Sequence, residues 1–192
     1  MPPRAPAVRA AHLKDDLWAI GQLGAAARVR ARLRPETLQA IEQALRTDHL
    51  PVALNAELAE AVFAELGEGG TRRWGTSSFL HSLDGFFKPL FEGLTALVGP
   101  SPGLLFKAFP SGWLTTYRDC GRFEVSHPGP GLTRLLVRDL APELRGMAYL
   151  TALCGTFESA FAISKYEGQA TLEPRAPDSR EASWLVTWRA SE

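Results

Sequence analysis

The 192-residue chain carries 21 basic and 21 acidic side chains, with 45% hydrophobic and 22% charged residues. That length suits one domain with a full core, and those fractions exclude wholesale disorder. The zero formal net charge leaves no electrostatic footprint for nucleic acid or an anionic membrane, and no apolar run approaches the roughly 18–20 residues a membrane helix requires.

Of the basic residues, 17 are Arg and four are Lys, so the arginine excess is a compositional habit before it is phosphate recognition. Met1–Ala11 is rich in Pro, Ala and Arg. It lacks the continuous apolar core of a secretory signal, so a cytoplasmic location is expected. In Asp15–Leu33 the apolar residues Leu17, Trp18, Ile20, Leu23 and Val29 fit either a short strand or a helix, interrupted by Gly21 and Gly24. Residues 1–34 read as an N-terminal extension and 35–192 as one domain.

Pro35 opens a helix to Arg46, with Leu38, Ile41 and Leu45 on one face. Pro at a first helical position wastes no hydrogen bond, and Glu36 sits at the positive end of the helix dipole. Val52–Leu66 resumes a helical period through Leu54, Leu58 and Val62, and Gly67–Thr71 reads as a loop. Trp74–Val98 is the longest periodic stretch, with Pro89 predicting a kink or break near Gly85. Pro102–Tyr117 gives a further helix with Leu105, Phe106, Phe109 and Trp113 inward, interrupted by Pro110.

The pattern changes after Asp119. Phe123, Val125 and His127 alternate with polar neighbours, as in a half-buried strand. Pro128–Gly131 is a turn signal, and Leu132–Arg138 alternates again, which predicts a hairpin. Pro142–Lys165 then reads as one helix, apolar on most of its girth. Gly168–Glu173 and Ser183–Arg189 form a second strand pair, with Trp184, Val186 and Trp188 on one face. The fold class is therefore α+β: a helical first half packed with an antiparallel hairpin–helix–hairpin second half.

Catalytic signatures are scarce. His12, His49, His81 and His127 lie outside any metal-ligand spacing, and Cys120 and Cys154 lack a CxxC pattern. A disulfide between the two cysteines is one reading, and a pair of core thiols is the commoner fate. His81 and Asp84 lie one helical turn apart near Ser77, Ser78 and Ser82. That makes a small Ser/His hydrolase one alternative, although no nucleophile elbow accompanies them. Gly67–Gly70 lacks the Lys-Ser/Thr of a phosphate loop. The aromatic set is more telling. Phe86, Phe109, Trp113, Cys154 and Phe157 come from three helices that should converge, and they are the candidate walls of a ligand pocket. The opposing reading is a filled core, which would make the chain a scaffold or interaction subunit.

From about Pro51 to Arg189 the chain resembles the ligand-binding fold shared by 4-vinyl-reductase-type sensory domains, transport-particle subunits and haem-nitric-oxide-binding domains, nearest to paralogous myxobacterial proteins of unknown function. The residues that carry the resemblance are the Pro110–Tyr117 approach to the Gly121–His127 strand, the Leu153-Cys154-Gly155-Thr156-Phe157 run and the closing Trp184-Leu185-Val186-Thr187-Trp188 strand. Haem-binding members use an axial His and a Tyr-x-Ser-x-Arg clamp for the propionates; that clamp does not occur here. The resemblance implies a non-catalytic sensor or adaptor that often dimerises through helices. The residues themselves lead to the expectation of a module that binds an apolar small molecule or a protein partner, with no metal or cofactor and as a homodimer.

Overall fold

A computed structural model of the chain describes residues 5–83 and 101–191. The fold class is α+β, with helices before strands. The expected helix over Asp84–Val98, including Phe86, lies outside the described residues.

Residues 7–33 belong to the core. Strand β1 (Ala7–Arg9) leads into helix α1 (Ala10–Gln22) and the short α2 (Ala26–Arg30), and Val8, Leu13, Ile20 and Val29 are fully buried. Of the two types open for Asp15–Leu33, the helix is the one present. The chain turns after it at Gly24, whose φ of 65° lies in the left-handed region that favours glycine. Helix α3 (Pro35–Gln43) starts on its proline and is shorter than expected, because the chain turns extended at Ala44. β2 (His49–Pro51) pairs with β1 and sets Leu50 opposite Val8.

Helix α4 (Ala53–Ser82) corrects the sequence reading. Where a loop was expected over Gly67–Thr71, only Gly67 leaves helical space, with φ 65° and ψ −173°, and the helix resumes at once. Glycine-rich sequence signals flexibility, but Gly69 and Gly70 stay helical here because the packing of the second half of α4 overrides their low propensity. The helix expected over Pro102–Tyr117 is two, α5 (Pro102–Phe106) and α6 (Phe109–Thr116), broken at Lys107-Ala108. Ser101 caps α5 by accepting from the Leu104 backbone N–H. β3 (Tyr117–Arg118) then joins the far side of β1, completing a three-stranded sheet in the order β2-β1-β3.

The second half follows its pattern closely. β4 (Arg122–Gly129) and β5 (Leu132–Arg138) form the first hairpin. A 3-10 turn (Pro142–Arg145) precedes helix α7 (Met147–Ala162), so the single expected helix is again two pieces. β6 (Tyr166–Leu172) and β7 (Ala182–Ala190) form the second hairpin, and the sheet order is β4-β5-β7-β6. Trp184 and Val186 are fully buried on the face that α7 covers, with Trp188 partly buried beside them.

Helix α7 lies between that sheet and α4, and two glycines set how close the helices come. A Cβ on Gly155 would stand 1.8 Å from the Arg72 carbonyl oxygen, and one on Gly75 would stand 2.1 Å from the Ala152 carbonyl oxygen. The two backbones therefore touch. This crossing fixes the walls of the cavity described next.

Candidate functional site

A cavity of about 650 Å³ opens between α1, α4, α6, α7 and the starts of β3 and β4. That is the size range of small-molecule sites. Its apolar wall is aromatic. Phe79 of α4 stacks on Phe109 of α6 with ring centroids 5.2 Å apart, and Phe109 meets Phe157 of α7 edge-on at 5.4 Å. Trp113 and Phe123 continue the wall, 5.7 Å apart. Trp113 is held in place by its indole N–H, which donates to the Gly121 carbonyl at 3.2 Å.

The opposite end is polar and acidic. Helix α1 brings His12, Asp15 and Asp16; α4 brings Asn55, Ser78 and Ser82; β3 brings Tyr117 and α7 brings Tyr149. Ser78 Oγ donates to Asp16 at 2.5 Å and Asn55 Nδ2 donates to the same carboxylate at 3.3 Å. Burial pushes the Asp16 carboxyl up from its ordinary value, and Asp15 adds to this, while His12 and the Ser78 bond oppose it. Asp15 accepts from Arg46 at 2.7 Å and from Ser82 Oγ at 2.9 Å. Tyr117 Oη donates to Asn55 Oδ1 at 3.1 Å and lies 3.0 Å from His12 Nε2.

Phe109, Trp113 and Phe157 all line this cavity, and Phe86 lies outside the described residues. Cys154 does not line it. Its thiol is buried and turned toward the Leu150 carbonyl at 3.6 Å, and burial pushes its pKa up to about 11. On a helix packed on both sides, an inward position need not face the void. Cys120 and Cys154 are both free thiols. The polar end escaped sequence reasoning. Its one local signal was the Asp15-Asp16 doublet beside apolar Leu13 and Leu17, a pattern out of place on a solvated helix.

Two of the serine hydroxyls near His81 serve carboxylates instead of an imidazole, and Asp84 lies outside the described residues. Ser78 donates to Asp16 and Ser82 to Asp15, while the His81 ring stacks on Trp18 with centroids 3.7 Å apart. The described residues hold no Ser–His pair of the kind a hydrolase needs.

No family model matches the chain, and none of the curated proteins does. Solved structures do. The chain is similar to an H-NOX protein from S. oneidensis with a TM-score of 0.67 and 8% identity, covering 96% of this chain and 97% of that one. It is similar to an Fe(II) unliganded H-NOX protein from K. algicida with a TM-score of 0.66 and 10% identity, covering 95% and 97%. A structure solved to probe haem distortion in the H-NOX family gives 0.64 and 10%, covering 96% and 95%. Of the resemblances read in the sequence, the haem-nitric-oxide-binding fold is the one these structures share. The chain has that fold.

A haem in this cavity would need an axial ligand facing it and cations for two propionates. The donor set does not fit. The lining histidines are His12, held between Tyr117 and Asp16, and His81, stacked on Trp18 and 3.9 Å from Asp15. The lining cations are Arg9 and Arg46, and Arg46 is paired with Asp15. Two buried carboxylates at the polar end would repel propionates. The described residues thus keep the fold without a haem-binding set. Among them no three His, Cys, Asp or Glu side chains group to hold a metal ion, and no helix is long and apolar enough to cross a membrane.

Proposed function

We propose that the chain is a non-catalytic sensory or adaptor module that binds an apolar small molecule directly, without haem, and passes the signal to a protein partner. The observation that carries this reading is the aromatic-walled cavity of about 650 Å³ in a fold shared with solved H-NOX proteins. Phe109, Trp113 and Phe157 would form the ligand's apolar seat, and Cys154 would support that wall from behind. Aromatic walls gain about 0.5–1.5 kcal/mol per well-placed ring contact beyond the area they bury. Ser78 and Ser82 are engaged in hydrogen bonds to carboxylates, His12 meets Tyr117 and His81 stacks on Trp18, which supports binding over turnover.

The test is a titration with N-phenyl-1-naphthylamine, an apolar dye that fluoresces when it leaves water. A saturable 1:1 signal is expected, lost when Gly112 at the cavity wall is replaced by Trp. A parallel titration with hemin should give no sharp Soret band. Stoichiometric haem uptake, or no saturable dye binding, would overturn the proposal.

A further inference from the structure

The charges that line the cavity are sorted by depth. Asp15 and Asp16 are 4% and 3% exposed, whereas Arg9 is half-buried and the Arg46 side chain is 60% exposed. A charge held away from water acts across a void more strongly than one that solvent screens, so the carboxylates dominate the field inside. Their pairing is unequal. Asp15 holds Arg46 at 2.7 Å and Ser82 at 2.9 Å, with His81 at 3.9 Å. Asp16 has the neutral donors Ser78 and Asn55, and its ion-pair partner is His12 at 3.6 Å, charged only when protonated. Burial raises its carboxyl more than His12 and Ser78 lower it. An asparagine would keep an oxygen for Ser78 without burying a charge, so hydrogen bonding alone gives no reason for an aspartate here.

Tyr117 joins this end to the aromatic wall. Its ring meets Trp113 with centroids 4.4 Å apart, and its hydroxyl donates to Asn55, which in turn donates to Asp16. We infer that the cavity takes a ligand with an apolar body and one ammonium head, the body against Phe109 and Phe157 and the head on Asp16 beside the Trp113 and Tyr117 rings. This rests on the binding function proposed above and names the charge of its ligand. An ammonium N–H donates to a carboxylate as Ser78 and Asn55 do, and it adds the permanent positive charge that Arg46 gives to Asp15. Ring faces are electron-rich, so the same aromatics that seat an apolar body also attract a cation. A carboxylate head would meet like charges at depth, and a hydroxyl head would bring no counter-charge to Asp16.

The experiment is displacement of bound N-phenyl-1-naphthylamine by 4-phenylbutylamine, 4-phenylbutan-1-ol and 4-phenylbutyrate. These share a body and carry a positive, no and a negative charge at neutral pH. It is run on the wild-type chain and on Asp16→Asn. In the wild type the amine should bind tightest and the carboxylate weakest. The amine-to-alcohol affinity ratio should be about tenfold higher in the wild type than in the variant, the size of one charge-assisted hydrogen bond. The uncharged dye should bind both proteins alike, which shows that the variant keeps its cavity. If the wild type binds the alcohol as tightly as the amine, or if the ratio is the same in the two proteins, the ammonium assignment fails and the binding function stands. If Asp16→Asn loses the dye, the order of the three ligands on the wild type decides alone. If the dye does not bind the wild type, both fall.

Discussion

Helix α4 is held along two seams of opposite character. Toward α7 the contact is backbone-close, with Gly75 and Gly155 under the Ala152 and Arg72 carbonyls and an Arg72–Glu158 ion pair at 2.7 Å beside them. Toward α1 and the α2–α3 region it is charged. Glu57 accepts from the Arg34 backbone N–H at 2.8 Å and from Thr37 Oγ1 at 2.8 Å, Glu65 pairs with Arg28 and Arg32, and Asp16 takes Ser78. The cavity lies where these seams diverge. Its aromatic wall borders the α7 seam and its polar end borders the charged one. Position at the α7 seam is set first by backbone sterics, which neither salt nor pH can relax, with the Arg72–Glu158 ion pair added. At the charged seam it is set by carboxylates, which both can.

The largest effect should come from Gly155→Ala. The added Cβ would meet backbone that cannot swing aside, so a loss of about 3 kcal/mol or more is expected in urea unfolding. A loss below about 1 kcal/mol would mean that the helices part easily and that the α7 seam does not set the cavity's width. Next is Glu57→Ala. Arg34 N–H and the fully buried Thr37 hydroxyl would lose their acceptor at the start of α3, costing about 1–2 kcal/mol. Glu57→Gln, which keeps an acceptor oxygen, should recover roughly half of that.

How legible each seam was follows from the same contrast. Period-2 alternation at Phe123/Val125 and Trp184/Val186 announced the two hairpins, because a sheet with one buried face must alternate. Phe109, Trp113 and Phe157 were readable as inward residues from helical spacing, and all three line the cavity. The three-residue strands β1 and β2 are too short to show a period, and they pair across forty residues of sequence. The continuity of α4 through Gly67–Gly70 depends on α7, which no local pattern reports. The polar end gathers His12, Asp16, Asn55, Tyr117 and Tyr149 from four elements, each unremarkable alone.

Two carboxylates of the charged seam should answer pH with opposite signs. Glu57 is held below its ordinary 4.5: burial raises it, and the Arg34 and Thr37 hydrogen bonds outweigh burial. Its contribution to stability is present above pH 4.5 and is lost as pH falls through the lowered value. Asp16 is raised above its ordinary 3.8, first by burial. The folded state holds that proton more tightly than the unfolded chain does. Its contribution is therefore full below pH 3.8 and is lost as pH rises toward the raised value. In Tm measured against pH, Asp16→Asn should flatten the decline above 3.8, and Glu57→Gln should flatten the decline below 4.5. An unchanged slope in Asp16→Asn would show that His12 and Ser78 fully offset the burial of that carboxylate.

The smallest effect belongs to Arg28→Ala, although its bond to Glu65 is short at 2.5 Å. The Arg28 side chain is 58% exposed, so water and salt screen the pair, and ordering a long side chain offsets much of what the contact contributes. Arg32 also stays on Glu65 at 3.2 Å, leaving that carboxylate partnered after the substitution. A Tm shift of no more than about 2 °C is expected, shrinking further at 0.5 M salt. A larger shift that survives salt would place this pair with Glu57, as a contact that positions α4. Depth in the seam, not the presence of an ion pair, would then no longer separate the contacts that hold the cavity open from those that decorate its outside.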